Sequence, residues 1–294
     1  MDTYNPMELY SIHTGNFKLD GGAMFGVVPK SIWNKLNPAD ENNMCSWAMR
    51  CLLVQDGKRL ILIDNGMGTK QDAKFFGYYY LHGDDTLEKS LAIHGFTTDD
   101  ITDVFLTHLH FDHCGGSIKC LPVGQTGNAD KPIYVPTFKN ATYWSNPLHW
   151  EWAIKPNARE KASFLKENIL PIQESGQLQM IKGNGETQLP FSVLYAHGHT
   201  EAMMLPRIIY KNRPLVFCAD LMPARWHIPL PYVMAYDVRP LESLKEKERL
   251  LNEFASTNTV LFFEHDPGVE CATLQKTERG VSLESTHSLK ELFS

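Results

Sequence analysis

No surplus of basic charge is present in this 294-residue chain: 28 lysines and arginines stand against 34 aspartates and glutamates, for a net charge of −6. A protein that grips a nucleic-acid backbone concentrates lysine and arginine somewhere, so nucleic acid is not an expected partner. Cysteine is sparse and scattered. Cys45, Cys51, Cys114, Cys120, Cys218 and Cys271 form no Cys-x-x-Cys pair, which excludes a disulfide framework and reads as buried, reduced thiols of an intracellular protein. The first residues lack the basic start and apolar run of a secretory signal. No apolar stretch approaches the roughly 20 residues of a membrane span. A cytoplasmic protein without membrane contact is the expectation. Repeats, charge blocks and Pro/Ser-rich linkers are also missing, so residues 1–294 read as one domain.

What remains is an ordinary globular composition, 43% hydrophobic and 21% charged, long enough to bury a full core. Two strand-like runs within 47–64 meet at Asp56-Gly57, a hairpin signal. Residues 86–94 read as a helix ending at Gly95, and Val104-Phe105-Leu106 as a short buried strand. Residues 138–168 read as helical and aromatic-rich, with loops. Strands are expected near 177–182 and 191–196, and a hairpin over 204–219 around Lys211-Asn212-Arg213-Pro214. Residues 240–255 read as an amphipathic helix with Leu241, Leu244, Leu251 and Phe254 inward and Lys245, Lys247 and Arg249 solvated. Thr259–Phe263 is a last core strand. Hairpins among alternating helices and strands argue for a mixed α/β fold and against a purely parallel sheet.

Immediately after the strand at 104–106 comes Thr107-His108-Leu109-His110-Phe111-Asp112-His113. Three imidazoles and a carboxylate this close together carry the donor atoms that zinc and related divalent ions take. The spacing lets His108 and His110 converge on one ion and turns Asp112 and His113 toward another. A polar loop whose histidines only satisfy turn hydrogen bonds is the plainer reading, and the rarity of histidine weighs against it.

His-x-His-x-Asp-His after an apolar strand resembles the hallmark of the metallo-β-lactamase superfamily of metal-dependent hydrolases. Further segments fit in order: Leu62-Ile63-Asp64-Asn65-Gly66, Ala196-His197-Gly198-His199-Thr200, Phe217-Cys218-Ala219-Asp220 and Phe263-Glu264-His265. The resemblance implies an αββα sandwich of two mixed β-sheets flanked by helices. It also implies two divalent cations, zinc foremost. His108, His110 and His199 would hold one, Asp112, His113 and His265 the other, with Asp220 bridging and Asp64 supporting the ligands. His197 is read as a bystander. A metal-bridging hydroxide would attack the substrate, with Asp112 and Asp220 as the catalytic carboxylates.

Within the superfamily, His110 stands where redox diiron members have Glu, the tail after His265 is too short for a glutathione-binding domain, and no RNA-processing insert fits between Asp220 and His265. The string from His108 to Gly116, with Asp20–Pro29 and Pro229–Asp237, is similar to N-acyl homoserine lactonases. The expected substrate is therefore a small acyl lactone, opened at its ring; a phosphotriesterase or aryl-esterase of the same fold is the alternative. Met24 and Phe25, read as a hairpin tip, are expected to wall the substrate. Pro223 replaces the tyrosine that the best-known lactonases carry, and His227, Tyr232 or Tyr236 are candidates for its hydrogen bond. Tyr143, Trp144, Trp150 and Trp152 read as local core or as the contact of a homodimer, and less often as a lid over an apolar substrate.

Overall fold

The computed structural model describes residues 7–121, 132–182 and 187–294. The chain divides into two compact units: Met1–Gly15, Cys51–Tyr78 and Asp84–Lys182 form the first, and Asn16–Arg50, Tyr79–Gly83 and Gly183–Ser294 the second.

The first unit centres on a six-stranded sheet. Its strands are β1 (Glu8–Asp20), β2 (Met44–Asp56), β3 (Arg59–Ile63), β4 (Asp103–Phe105), β7 (Thr142–Ser145) and β8 (Leu178–Met180), hydrogen-bonded in that order, with residues 16–20 of β1 and 44–50 of β2 counted in the second unit. A two-strand ribbon, β5 (Ile118–Leu121) with β6 (Ile133–Pro136), stands apart from it. The β2–β3 hairpin turns through Gly57-Lys58, with Asp56 opposite Arg59. Only Gly57 of that pair has a positive φ, +59°, as a type II′ turn requires of its first central residue. From β3 onward the pairings β3–β4, β4–β7 and β7–β8 are parallel. Such strands are covered on both faces, and Leu62, Val104 and Tyr143 are all fully buried. Helices α3 (Ala73–Tyr79), α4 (Leu87–Ile93), α5 (Phe111–Cys114), α6 (Pro147–Ile154) and α7 (Lys166–Glu174) complete the unit. Leu87 and Leu91 of α4 and Ile169 and Ile172 of α7 enter its core. The segment 138–168 is not wholly helix and loop, as its sequence suggested: Tyr143 and Trp144 lie in β7, where aromatic side chains suit a pleated surface.

The second unit has its own six-stranded sheet, ordered from β14 (Gly280–His287) through β13 (Cys271–Thr277), β12 (Val260–Phe262), β11 (Arg213–Phe217) and β10 (Met203–Tyr210) to β9 (Ser192–Ala196). Lys211 and Asn212, at φ +47° and +63°, form the tight β10–β11 turn, the type I′ geometry that twists with its strands. The remaining helices are α1 (Gly21–Phe25), α2 (Lys30–Trp33), α8 (Pro240–Ser256) and α9 (Leu289–Phe293). Met24 and Phe25 thus sit on a helical turn and not on a hairpin tip. The Asp20 carboxylate caps that turn by accepting from the Ala23 N–H at 2.8 Å.

Helix α8 opens with Pro240, whose missing N–H costs nothing at a helix start. Its buried stripe is Ser243, Glu246, Lys247, Leu250, Leu251 and Phe254, rotated from the expected one, for Leu241 is 73% exposed. Lys247 is the sharper correction. Its ammonium is buried and donates to the carbonyls of Pro229, Leu230 and Tyr232 at 3.1, 3.4 and 2.8 Å. Three N–H bonds meet three acceptors in one loop. Burial lowers its pKa to about 7. Periodicity registers charge but not a distant loop that needs donors.

Candidate metal centre

In the first unit the donors stand on one turn. Strand β4 ends at Phe105, and His110 precedes the single turn of α5, with the N–H groups of His113 and Cys114 returning to the His110 carbonyl at 3.1 and 3.0 Å. Gly115 and Gly116 let this turn close on the loop after β3: a Cβ on either would run into the carbonyl oxygen of Met67 or Asn65. Asp64, fully buried at φ +56°, is the hub. Its carboxylate accepts from the Thr107 N–H at 2.8 Å and the Thr107 hydroxyl at 2.6 Å. It also lies 3.1 Å from His113 Nδ1. A ring that donates from Nδ1 keeps its lone pair on Nε2, and Asp112 Oδ2 is 3.8 Å from His113 Nε2. Because the Thr107 hydroxyl is spent on Asp64, it accepts from His108 Nδ1 at 3.0 Å. His108 Nε2 is left facing His110 Nδ1 at 3.1 Å.

The second unit gathers its donors from three strand ends. His199 follows β9, Asp220 follows β11, and His265 follows β12. His199 Nδ1 lies 2.9 Å from Asp237 Oδ1, and His265 Nδ1 donates to the Ala48 carbonyl at 2.7 Å. Both rings then present Nε2 to the same carboxylate: His199 to Asp220 Oδ2 and His265 to Asp220 Oδ1, each at 3.2 Å. The turn that carries His199 is tied to α8, where Glu246 accepts from the backbone N–H groups of His197 and Gly198 at 2.7 and 3.0 Å. A Cβ on Gly198 would strike Ser243. His197 turns to Glu201 at 2.7 Å, on a partly exposed side chain.

These donor spacings fit divalent cations. Zinc–nitrogen bonds of about 2.0–2.1 Å at a tetrahedral angle set two ligand atoms about 3.3 Å apart. The pairs at 3.1 and 3.2 Å match that edge. The rear nitrogens fixed on Thr107, Asp64, Asp237 and Ala48 give the tautomers that metal ligation needs. Among the described residues nothing comparable involves sulfur. Cys114 is fully buried with its thiol pushed up to about 12, and burial also raises Cys218, so both are inert.

Around Phe25 the second unit packs aromatic rings. Trp33 stacks on Phe25 with centroids 5.4 Å apart, and His227 does so at 5.3 Å. Trp47, Trp226 and Tyr232 surround the pair. Met24, Phe25 and His227 are buried. His227 Nε2 donates to the Met24 carbonyl at 2.9 Å, and burial lowers its pKa to about 4, so the ring is neutral. Pro223 offers its carbonyl to the His265 N–H at 2.9 Å. Sequence reasoning assigned no role to Asp237, Glu246, His149 or Glu160. His149 accepts from the Leu109 N–H at 2.8 Å and so braces the turn between His108 and His110. Nothing but burial distinguishes these four, and burial is set by the fold.

Comparison with known proteins agrees with this chemistry. The family model of the metallo-beta-lactamase superfamily matches residues 50–265. An N-acyl homoserine lactonase of Bacillus cereus is 23% identical over 273 residues, covering 88% of this chain and 93% of that protein. The N-acyl homoserine lactonase AiiA of Bacillus thuringiensis subsp. kurstaki is 24% identical over 272 residues, with the same coverage. Among solved structures, a probable metal-dependent hydrolase from Staphylococcus aureus superposes with a TM-score of 0.83 at 27% identity, over 97% of each chain. AidC, a dizinc quorum-quenching lactonase solved with a homoserine product, superposes at 0.74 and 23% identity, again over 97% of each chain. Donor chemistry, fold and family match agree: the chain belongs to the metallo-beta-lactamase superfamily of metal-dependent hydrolases.

Proposed function

We propose that this protein opens the lactone ring of N-acyl homoserine lactones and works on two divalent cations, zinc foremost. One observation carries the dinuclear part: Asp220 turns each of its two oxygens to a different imidazole, each 3.2 Å away, and each imidazole is fixed from behind. A carboxylate held this way is built to bridge. In the proposal His108, His110 and His199 hold one ion, Asp112, His113 and His265 the other, and Asp220 both. All seven lie within the residues that match the family model, and 1–294 acts as a single catalytic domain. The lactone part is supported by the curated relatives, which are lactonases along 88% of this chain.

Two such cations supply Lewis-acid polarisation of an ester carbonyl and lower the pKa of water toward about 7. The side chains do the rest. Asp64 and Asp237 hold His113 and His199 in the ligating tautomer. Asp112 and Asp220 are each 8% exposed, while His108, His113, His199 and His265 are at most 2% exposed. His110, at 7% exposed, and the two carboxylates are thus the groups that water reaches, and one of the carboxylates, Asp112 or Asp220, takes the proton of the attacking water and returns it to the departing alkoxide. Trp226 and Tyr232, half-buried and backed by Phe25, Met24 and His227, give the acyl chain an apolar wall, worth up to about 0.8 kcal/mol for each methylene buried.

A turnover panel tests the reading: homoserine lactones of short to long acyl chain, an aryl ester, methyl parathion and nitrocefin. The expected result is fastest hydrolysis of the lactones, with kcat/KM rising from short to medium chains. Methyl parathion hydrolysed faster than every lactone would replace this reading with a phosphotriesterase.

A further inference from the structure

Each ligating imidazole has a rear nitrogen that something must hold. Thr107, Asp64, Asp237 and Ala48 serve His108, His113, His199 and His265 in this way. His110 is oriented the other way round. Its Nδ1 faces His108 at 3.1 Å, so its rear nitrogen is Nε2. Facing that Nε2 at 3.6 Å is Oε1 of Glu160, a carboxylate only 3% exposed.

Glu160 is itself built into place. Its Oε2 accepts from Trp152 Nε1 at 2.7 Å and Asn157 Nδ2 at 2.5 Å, and its backbone N–H donates to Asn157 Oδ1 at 3.1 Å. Trp152 and Asn157 are neutral donors on Oε2, and Oε1 is the oxygen that faces the imidazole. A buried carboxylate is costly unless cations or strong donors compensate it. A His110 ring that donates from Nε2, with a cation on its far side, contributes to that compensation. At 3.6 Å the pair is longer than a hydrogen bond, and a shift of about half an ångström makes it one.

We propose that Glu160 is the positioning residue for His110: its charge keeps the ring protonated on Nε2, so that Nδ1 offers its lone pair to the ion it shares with His108. Trp152, part of the aromatic segment that sequence patterning reads as core or dimer contact, then has a further task as the anchor of Glu160. The inference rests on the metal reading of the His108–His113 turn.

The test compares wild type, Glu160→Gln and Trp152→Phe as full-length protein. Zinc affinity is read by competition with a chromophoric chelator, and the ring tautomer of His110 from imidazole nitrogen shifts in metal-stripped samples. For Glu160→Gln the expected result is one of two zinc ions held about 10–100-fold more weakly, the range that loss of such a partner costs, with the Nε2–H share of His110 reduced. Trp152→Phe keeps the charge and loosens its anchor. It should weaken the same ion less, and it decides the matter if Glu160→Gln does not fold. Unchanged zinc affinity and an unchanged His110 tautomer in these variants overturn the proposal. Wild-type protein that takes up no zinc overturns the metal reading alone, and the tautomer then judges Glu160.

Discussion

The two units assemble their donors at different distances along the chain. In the first, His108, His110, Asp112 and His113 share one turn, and a single buried carboxylate, Asp64, sets the orientation of that turn through Thr107 and His113. In the second, His199, Asp220 and His265 come from three strand ends, and their supports are remote. Asp237 is 38 residues from His199, and Ala48 is 217 residues from His265. A local turn needs its backbone and one hub. A dispersed set needs the whole sheet, helix α8 and the loop that Lys247 holds to be correctly packed before any donor points the right way.

The dispersed set should therefore be the more fragile, and Asp220 is where it breaks most severely. Asp220→Asn keeps the size of the side chain but removes the charge between His199 and His265. The expected outcome is a fall in kcat of more than about 100-fold, beyond the cost of losing an outer partner, with elemental analysis showing close to one zinc equivalent lost. If both equivalents and most activity are retained, the second unit does not depend on that carboxylate.

A smaller effect sharpens the comparison through pH. His227 is buried and neutral in the second unit, with its pKa lowered from 6.5 to about 4. The unfolded chain therefore binds the proton first. The stability that the neutral ring contributes is fully present above pH 6.5 and is lost as pH falls through 4, about 3 kcal/mol over the whole range. Urea unfolding at pH 7.5, 5.5 and 4 should show wild type losing stability more steeply than His227→Gln. Coincident slopes would mean that the ring is not held neutral.

The smallest expected effect is none. His197 turns toward Glu201, and its side chain is 40% exposed. His197→Ala should keep both zinc equivalents and kcat within about twofold, well inside the losses expected of a metal-supporting partner. Loss of an ion in this variant, without a loss in His199→Ala, would reverse their roles.

Sequence patterning recovers the elements whose causes are local. The β2–β3 turn follows from Gly57, the end of α4 from Gly95 at φ +81°, and the β10–β11 hairpin from Lys211-Asn212. It fails where the cause is remote. Strand β7 was hidden because Tyr143 and Trp144 suit either a helix or a strand, and only pairing with β4 and β8 decides. Met24 and Phe25 lie between glycines that look like a hairpin tip, yet an Asp20 cap and the aromatic packing around Phe25 make them a buried helical turn.

The superfamily is legible in the sequence alone, because six adjacent residues carry all four candidate donors of the first unit and the other candidates recur in order after apolar strands. The sequence also shows the candidate donor types, since only imidazole and carboxylate stand at those positions. The tertiary structure alone decided which nitrogen of each ring faces forward, which charged groups are buried, and what holds them. Asp237 behind His199, Glu246 under the His197-Gly198 backbone, Lys247 on three carbonyls and Glu160 facing His110 are all pairings of residues distant in sequence or unremarkable in pattern. Hydrogen bonds are directional over about 3 Å, and no spacing rule in a chain reports which distant groups folding brings within that reach.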